Sequence, residues 1–138
     1  MGLQVQCGDW QASDDAGDAF TEVIRGVETV LAEAERDAWA NEFVPSWEEQ
    51  DAAIDPEDCE TIRIVLSPRL MEVLISPLRR YYDFLAERLG RPDPGRARAR
   101  EWREGTVGDG AKLECAHALV EAYAACRKSS RPVSVFFS

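Results

Sequence analysis

Leu3, Val5 and Cys7 alternate with Gln4 and Gln6 at the start of the chain. An apolar period of two marks a strand with one buried face. The same period returns near the other end, where "VSVFF" sets Val133, Val135 and Phe137 on one side. Between these ends the period lengthens. Phe20, Val23, Ile24, Val27, Val30, Leu31 and Ala34 share one helical face, and Glu22, Glu28, Glu33 and Glu35 lie mostly off it. Asp18 is placed to cap this helix, which the pattern allows to run on to Trp39 or Asn41. Gly26 in its middle costs about 1 kcal/mol against Ala, so a neighbouring element is expected to come close there. The segment "GDWQASDDAG" before the helix reads as a loop.

Pro45 is expected to end the helical run, with Ser46 and Glu49 forming a capping box for a short helical turn. Asp55-Pro56 starts another turn. In "TIRIVL", Ile62, Ile64 and Leu66 alternate again, as in a third strand or an extended lead into a helix. Ser67-Pro68 then begins a helix with Ser67 as its cap. Proline lacks an N–H and collides with the preceding turn, so Pro77 predicts a division into helices at 68–75 and 77–89. Leu78, Tyr81, Tyr82, Leu85 and Leu89 give the second its apolar face, and Gly90 closes it. "GAKLECAHALVEAYAACRK" predicts one more helix, with Leu113, Ala116, Leu119, Val120, Tyr123 and Ala124 as its buried stripe. The expected fold is α+β and mostly helical, with the N- and C-terminal strands in a small sheet packed against helices, as one globular domain over residues 1–138.

Three local features resemble the YfbM-like bacterial domains, a family of unknown function. They are the opening "MGL" leading into a strand, the Ser-Pro helix start in "LSPRLMEVL", and the ending "LVEAYAACRKSSRPVSVFF". The Trp-bearing acidic middle and the arginine segment depart from that pattern. The resemblance implies an α+β cytoplasmic bacterial domain of the immunity or interaction type, and it brings no catalytic residues with it.

Charge sharpens the picture. Residues 1–60 hold 17 Asp or Glu against Arg25 and Arg36, a net of −15, whereas residues 61–138 hold 14 basic against 9 acidic side chains, a net of +5. Such asymmetry suits an acidic face directed at a cationic partner. Trp39, Phe43 and Trp47 lie within the acidic half, beside Glu48, Glu49, Asp51, Asp55 and Asp58. Rings among carboxylates form a binding surface for a basic protein, the rings giving contact area and the acids steering association. The competing reading makes all three aromatics core residues. "RPDPGRARAREWREG" carries five arginines. Its span from Arg96 to Arg103, anchored by Trp102, reads as counter-charge to the acidic half, and the alternative is a nucleic-acid contact. A strongly negative surface argues against a polyanionic partner.

Chemistry is sparse. Cys115-x-His117 puts the two side chains about 200° apart around a helix, away from metal-ligand spacing. The acidic run lacks the order and central glycine of a calcium loop, and "GTVGDG" lacks the Lys-Ser/Thr of a phosphate loop. With these motifs lacking, no metal or cofactor is expected, and no membrane partner either, since the apolar stretches fall far short of the roughly 20 residues that span a bilayer. The start lacks a basic region followed by an apolar one, so a cytoplasmic location with Cys7, Cys59, Cys115 and Cys126 reduced is expected. The leading functional reading is a non-enzymatic protein-binding domain, of the kind that neutralises a basic toxin as an immunity or inhibitor protein. The alternative is a small cytoplasmic enzyme with a Cys or carboxylate site between helices and sheet.

Overall fold

The computed structural model describes residues 2–14, 19–54, 57, 61–94, 96 and 108–137. The fold is α+β. Four antiparallel strands form one sheet in the order β2-β1-β4-β3: β1 Leu3–Cys7, β2 Trp10–Asp14, β3 Ile62–Leu66 and β4 Val133–Phe137. The chain's two terminal strands lie side by side at the centre, with Val5 opposite Val135 and Val135 opposite Ile64. Leu3, Val5, Cys7, Ile64, Leu66, Val133 and Val135 are buried on one face of the sheet. The period-two pattern therefore holds for all three strands in which it was read.

β2 is a correction. The segment expected as a loop pairs with β1, Cys7 opposite Trp10, across the two-residue turn Gly8-Asp9. Gly8 has φ +59°, which glycine adopts without penalty and which suits the first central position of a tight hairpin.

The helices cover the buried face. α1 spans Ala19–Thr29 and α2 Glu33–Ala38; a wider π-helical turn at Trp39–Phe43 then leads directly into α3, Val44–Ala52. α4 spans Pro68–Arg88 and α5 Asp109–Ser129. Two helix breaks expected from proline do not occur. Pro77 lies within α4, where Leu74, Ile75, Leu78 and Tyr81 are buried on both sides of it. Packing along that whole face outweighs the roughly 3 kcal/mol cost of an interior proline. Pro45 stands in the first turn of α3 immediately after the π turn, in which the Val44 N–H donates to the Trp39 carbonyl. The wider turn displaces the carbonyl that a regular α-helix would set against the proline ring. Ser46 is thus an interior residue whose Oγ accepts from Gln50 Nε2 at 3.2 Å, and the expected capping box does not form. α1 also stops at Thr29, short of the expected Trp39. The Arg80 guanidinium takes the carbonyl of Val30 at 2.7 Å beyond the helix end.

Other expectations hold. Ser67 Oγ accepts from the Leu70 N–H at 3.2 Å and caps α4. Gly90, at φ +77°, closes the same helix: its N–H donates to the Glu87 carbonyl and the Arg91 N–H to that of Ala86. At Gly26 a side-chain carbon would overlap the Tyr81 ring, so the glycine lets α1 and α4 approach. In α5 the buried stripe includes Leu113, Ala116, Leu119 and Tyr123 as expected, but Ala124 is exposed, and Cys115, Ala122 and Cys126 are buried in its place. Among the described residues, no helix is long and apolar enough to cross a membrane.

Candidate binding pocket

Trp39, Phe43 and Trp47 recur at every fourth position through the π turn and into α3. Their rings form a ladder. Trp39 and Phe43 stack with centroids 4.1 Å apart and planes 12° from parallel, and Trp47 continues the stack 6.3 Å from Phe43. Phe20 of α1 meets Trp47 at 5.6 Å and Phe137 of β4 at 5.2 Å. Trp39 and Phe43 are core residues, 3% and 2% exposed, whereas Trp47 is half-buried. The surface expected of all three aromatics is therefore offered chiefly by Trp47, since Trp39 and Phe43 lie in the core where the π turn packs against α4.

The three aromatics line a pocket of about 470 Å³ between α1, α3 and the ends of β3 and β4. That volume falls in the usual range of small-ligand sites, roughly 300–1,000 Å³. Ile24, Ile62, Ile64 and Phe137 extend its apolar walls. Thr21, Arg25 and Glu28 from α1, with Glu48 and Asp51 from α3, add the polar ones. One glutamine fixes α3 to the sheet. The Gln50 side chain donates to the Val65 carbonyl at 2.9 Å and accepts from the Val65 N–H at 2.6 Å. β3 is an edge strand, so this amide satisfies backbone groups that would otherwise be open to another strand.

Electrostatics separates the carboxylates of this region into two kinds. Glu42 takes two hydrogen bonds from Arg69 at 2.8 Å. Glu35 pairs with Arg80 at 2.7 Å and also accepts from the Ala32 N–H at the start of α2. Those arginines hold both carboxyls below the ordinary carboxylate range. Glu28, Glu48, Glu49 and Asp51 are exposed, and none has an ion-pair partner among the described residues. Arg25, the cation on the pocket rim, bonds to Glu22 of its own helix at 3.1 Å and is 71% exposed. Trp39 adds an unmet group of another type, since its indole Nε1 is buried without an acceptor among the described residues.

Sequence reasoning named Trp39, Phe43, Trp47, Glu48 and Asp51, and the structure brings these together at the pocket. Glu49 is exposed on the same helix but does not line it. Asp55 and Asp58 lie outside the described residues, as do Asp18, Cys59, Trp102 and most of the arginine segment. Arg96 is exposed, and Arg91 pairs with Glu87 of α4 rather than with the acidic half. The reasoning missed Glu28, Thr21 and the strand residues that form the opposite wall. Nothing local to α1 marks Glu28, because its position beside α3 arises only when both helices meet the sheet.

The nucleophile-bearing residues are differently placed. Cys7, Cys115 and Cys126 are buried. Burial, with Cys7 beside it, pushes the Cys126 thiol up to about 11. A thiol so placed stays protonated at neutral pH and is a poor nucleophile. His117 faces Glu121 of its own helix at 3.4 Å and Tyr82 at 6.1 Å between ring centres. It lines a smaller hollow of about 140 Å³ with Leu3, Ser13 and Glu114, and no cysteine is among its described lining residues. Among the described residues, no three His, Cys, Asp or Glu side chains cluster as a metal would require.

Fold and site together describe an α+β domain with an aromatic-walled, acid-rimmed pocket at the side of its sheet. Comparison with protein-family models, with curated proteins and with solved structures gives no match for this chain. The likeness to YfbM-like domains therefore rests on the three sequence features alone.

Proposed function

We propose that the chain is a non-enzymatic binding domain that engages a basic protein through the α1–α3 flank, in the manner of an immunity or inhibitor protein covering a basic toxin. The observation that carries this reading is the set of exposed carboxylates Glu28, Glu48, Glu49 and Asp51, none of which has an ion-pair partner among the described residues. Like charges gathered on one flank repel one another in the free protein. A basic partner turns that repulsion into attraction and speeds encounter. Half-buried Trp47 supplies the apolar contact that a purely electrostatic surface lacks. Burial of Cys7, Cys115 and Cys126 weighs against any of these three as a nucleophile.

The test is capture from native lysate by the wild-type chain and by a Glu48→Gln/Glu49→Gln/Asp51→Asn variant, at low and at high salt. The reading expects a basic protein that is retained by the wild type at low salt, released at high salt and lost by the variant. Retention that ignores both salt and the substitutions contradicts it.

A further inference from the structure

The pocket's chemistry narrows what such a partner must insert. Its rim places the carboxylates of Glu28, Glu48 and Asp51 around walls that include the half-buried Trp47 ring. The rim's own cation, Arg25, pairs with Glu22 of its own helix. Negative charge beside aromatic faces suits a cation with a flat, weakly hydrated head and an apolar stem. A guanidinium stacks on a ring and pairs with carboxylates through its planar fork, which a compact ammonium cannot do equally well. The pocket, at about 470 Å³, has room for an arginine side chain and part of the chain that carries it.

We propose that this pocket receives an arginine side chain of the partner protein, its guanidinium held among Glu28, Glu48 and Asp51 and its stem laid along Trp47. This rests on the binding role proposed above and names the residue that role would use as its anchor.

The experiment uses the full chain labelled with ¹⁵N and two peptides, acetyl-Gly-Arg-Gly-amide and the same peptide with citrulline, a neutral isostere, in place of arginine. The arginine peptide is expected to bind saturably in the millimolar range, as suits a single isolated anchor. Shifts should concentrate in the Trp47 and Trp39 indole signals and in the amides of α1 and α3. Citrulline should bind at least about fivefold more weakly, since the charge-assisted hydrogen bonds are lost. Glu48→Gln/Asp51→Asn should weaken the arginine peptide by at least about fivefold while its other amide signals stay in place. Absence of saturable shifts up to about 20 mM, equal binding of citrulline, shifts scattered over the whole acidic surface, or an unaffected variant would each overturn the proposal. The two claims fail separately. A basic protein that binds the Glu48→Gln/Asp51→Asn variant undiminished, but is lost when Glu49 is also neutralised, would sink the arginine anchor and leave the binding role standing. Arginine-peptide binding with no basic protein captured would do the reverse.

Discussion

Glu35 and Glu42 precede Glu48 and Asp51 along the same helical run, yet they meet opposite circumstances. Arg80 and Arg69 reach from α4 to the first pair, whereas the second pair faces the pocket with no ion-pair partner among the described residues. A carboxylate with a fitted arginine ties one element of the fold to another. A carboxylate without one adds repulsion to the folded state and gains only when something cationic arrives. Exposed pairs contribute about 0–1 kcal/mol each, so it is the pattern of matching that points to function.

The aromatic ladder provides the hardest test of that division. Trp39→Ala or Phe43→Ala should cost about 3–5 kcal/mol, as buried aromatics do, and a thermal melt will read it as a large loss. Trp47→Ala should cost less, about 1–3 kcal/mol, because part of its ring already meets solvent. Equal losses at all three positions would make Trp47 a core residue and remove the apolar centre of the proposed interface.

Gln50→Ala ranks next. It leaves the Val65 N–H and carbonyl without their partner, for an expected loss of about 1–3 kcal/mol. Hydrogen exchange at the Val65 amide should quicken beyond that of Ile64. An unchanged rate would show that α3 is held to the sheet by packing alone, and the pocket would then lose its fixed wall.

How much of this was legible in the sequence depends on whether the deciding contact was local. Alternating Leu3, Val5 and Cys7, and Val133 and Val135, announced strands because burial on one face is written at every second residue. Ser67 and Gly90 announced helix ends because caps act within a few residues. Pro77 and Pro45 misled, since the first is overruled by packing along α4 and the second by a π turn that no local pattern marks. β2 was missed although Gly8-Asp9 is a fitting two-residue turn; only Trp10 and Ala12 stood for its inward face, too short an alternation to notice. For the pocket, the α3 residues were readable as aromatics among acids. Its α1 and strand wall was not, because sequence carries no sign that Glu28 and Asp51 will share a rim.

The acid limb of stability sharpens the comparison further. The folded-state carboxyls of Glu35 and Glu42 are lowered by hydrogen bonds from Arg80 and Arg69. Their contribution is therefore complete above the ordinary carboxylate range and is lost as pH falls through the lowered values. Glu35→Gln/Glu42→Gln should shallow the fall in stability on acidification, a shift of the acid midpoint by a fraction of a pH unit. Chemical denaturation followed between neutral and strongly acidic pH will detect it.

The central claim is that the rim carboxylates serve a ligand and the arginine-paired ones serve the fold. Its most direct measurement is the melting temperature at pH 7 and low salt of two variants, Glu28→Gln/Glu48→Gln/Asp51→Asn and Glu35→Gln/Glu42→Gln. With no ligand present, the rim variant should melt at or above the wild-type temperature, because it sheds like-charge repulsion, and the paired variant should melt below it. Added salt should shrink both differences. A rim variant that melts well below the wild type, with the paired variant unchanged, would contradict the account.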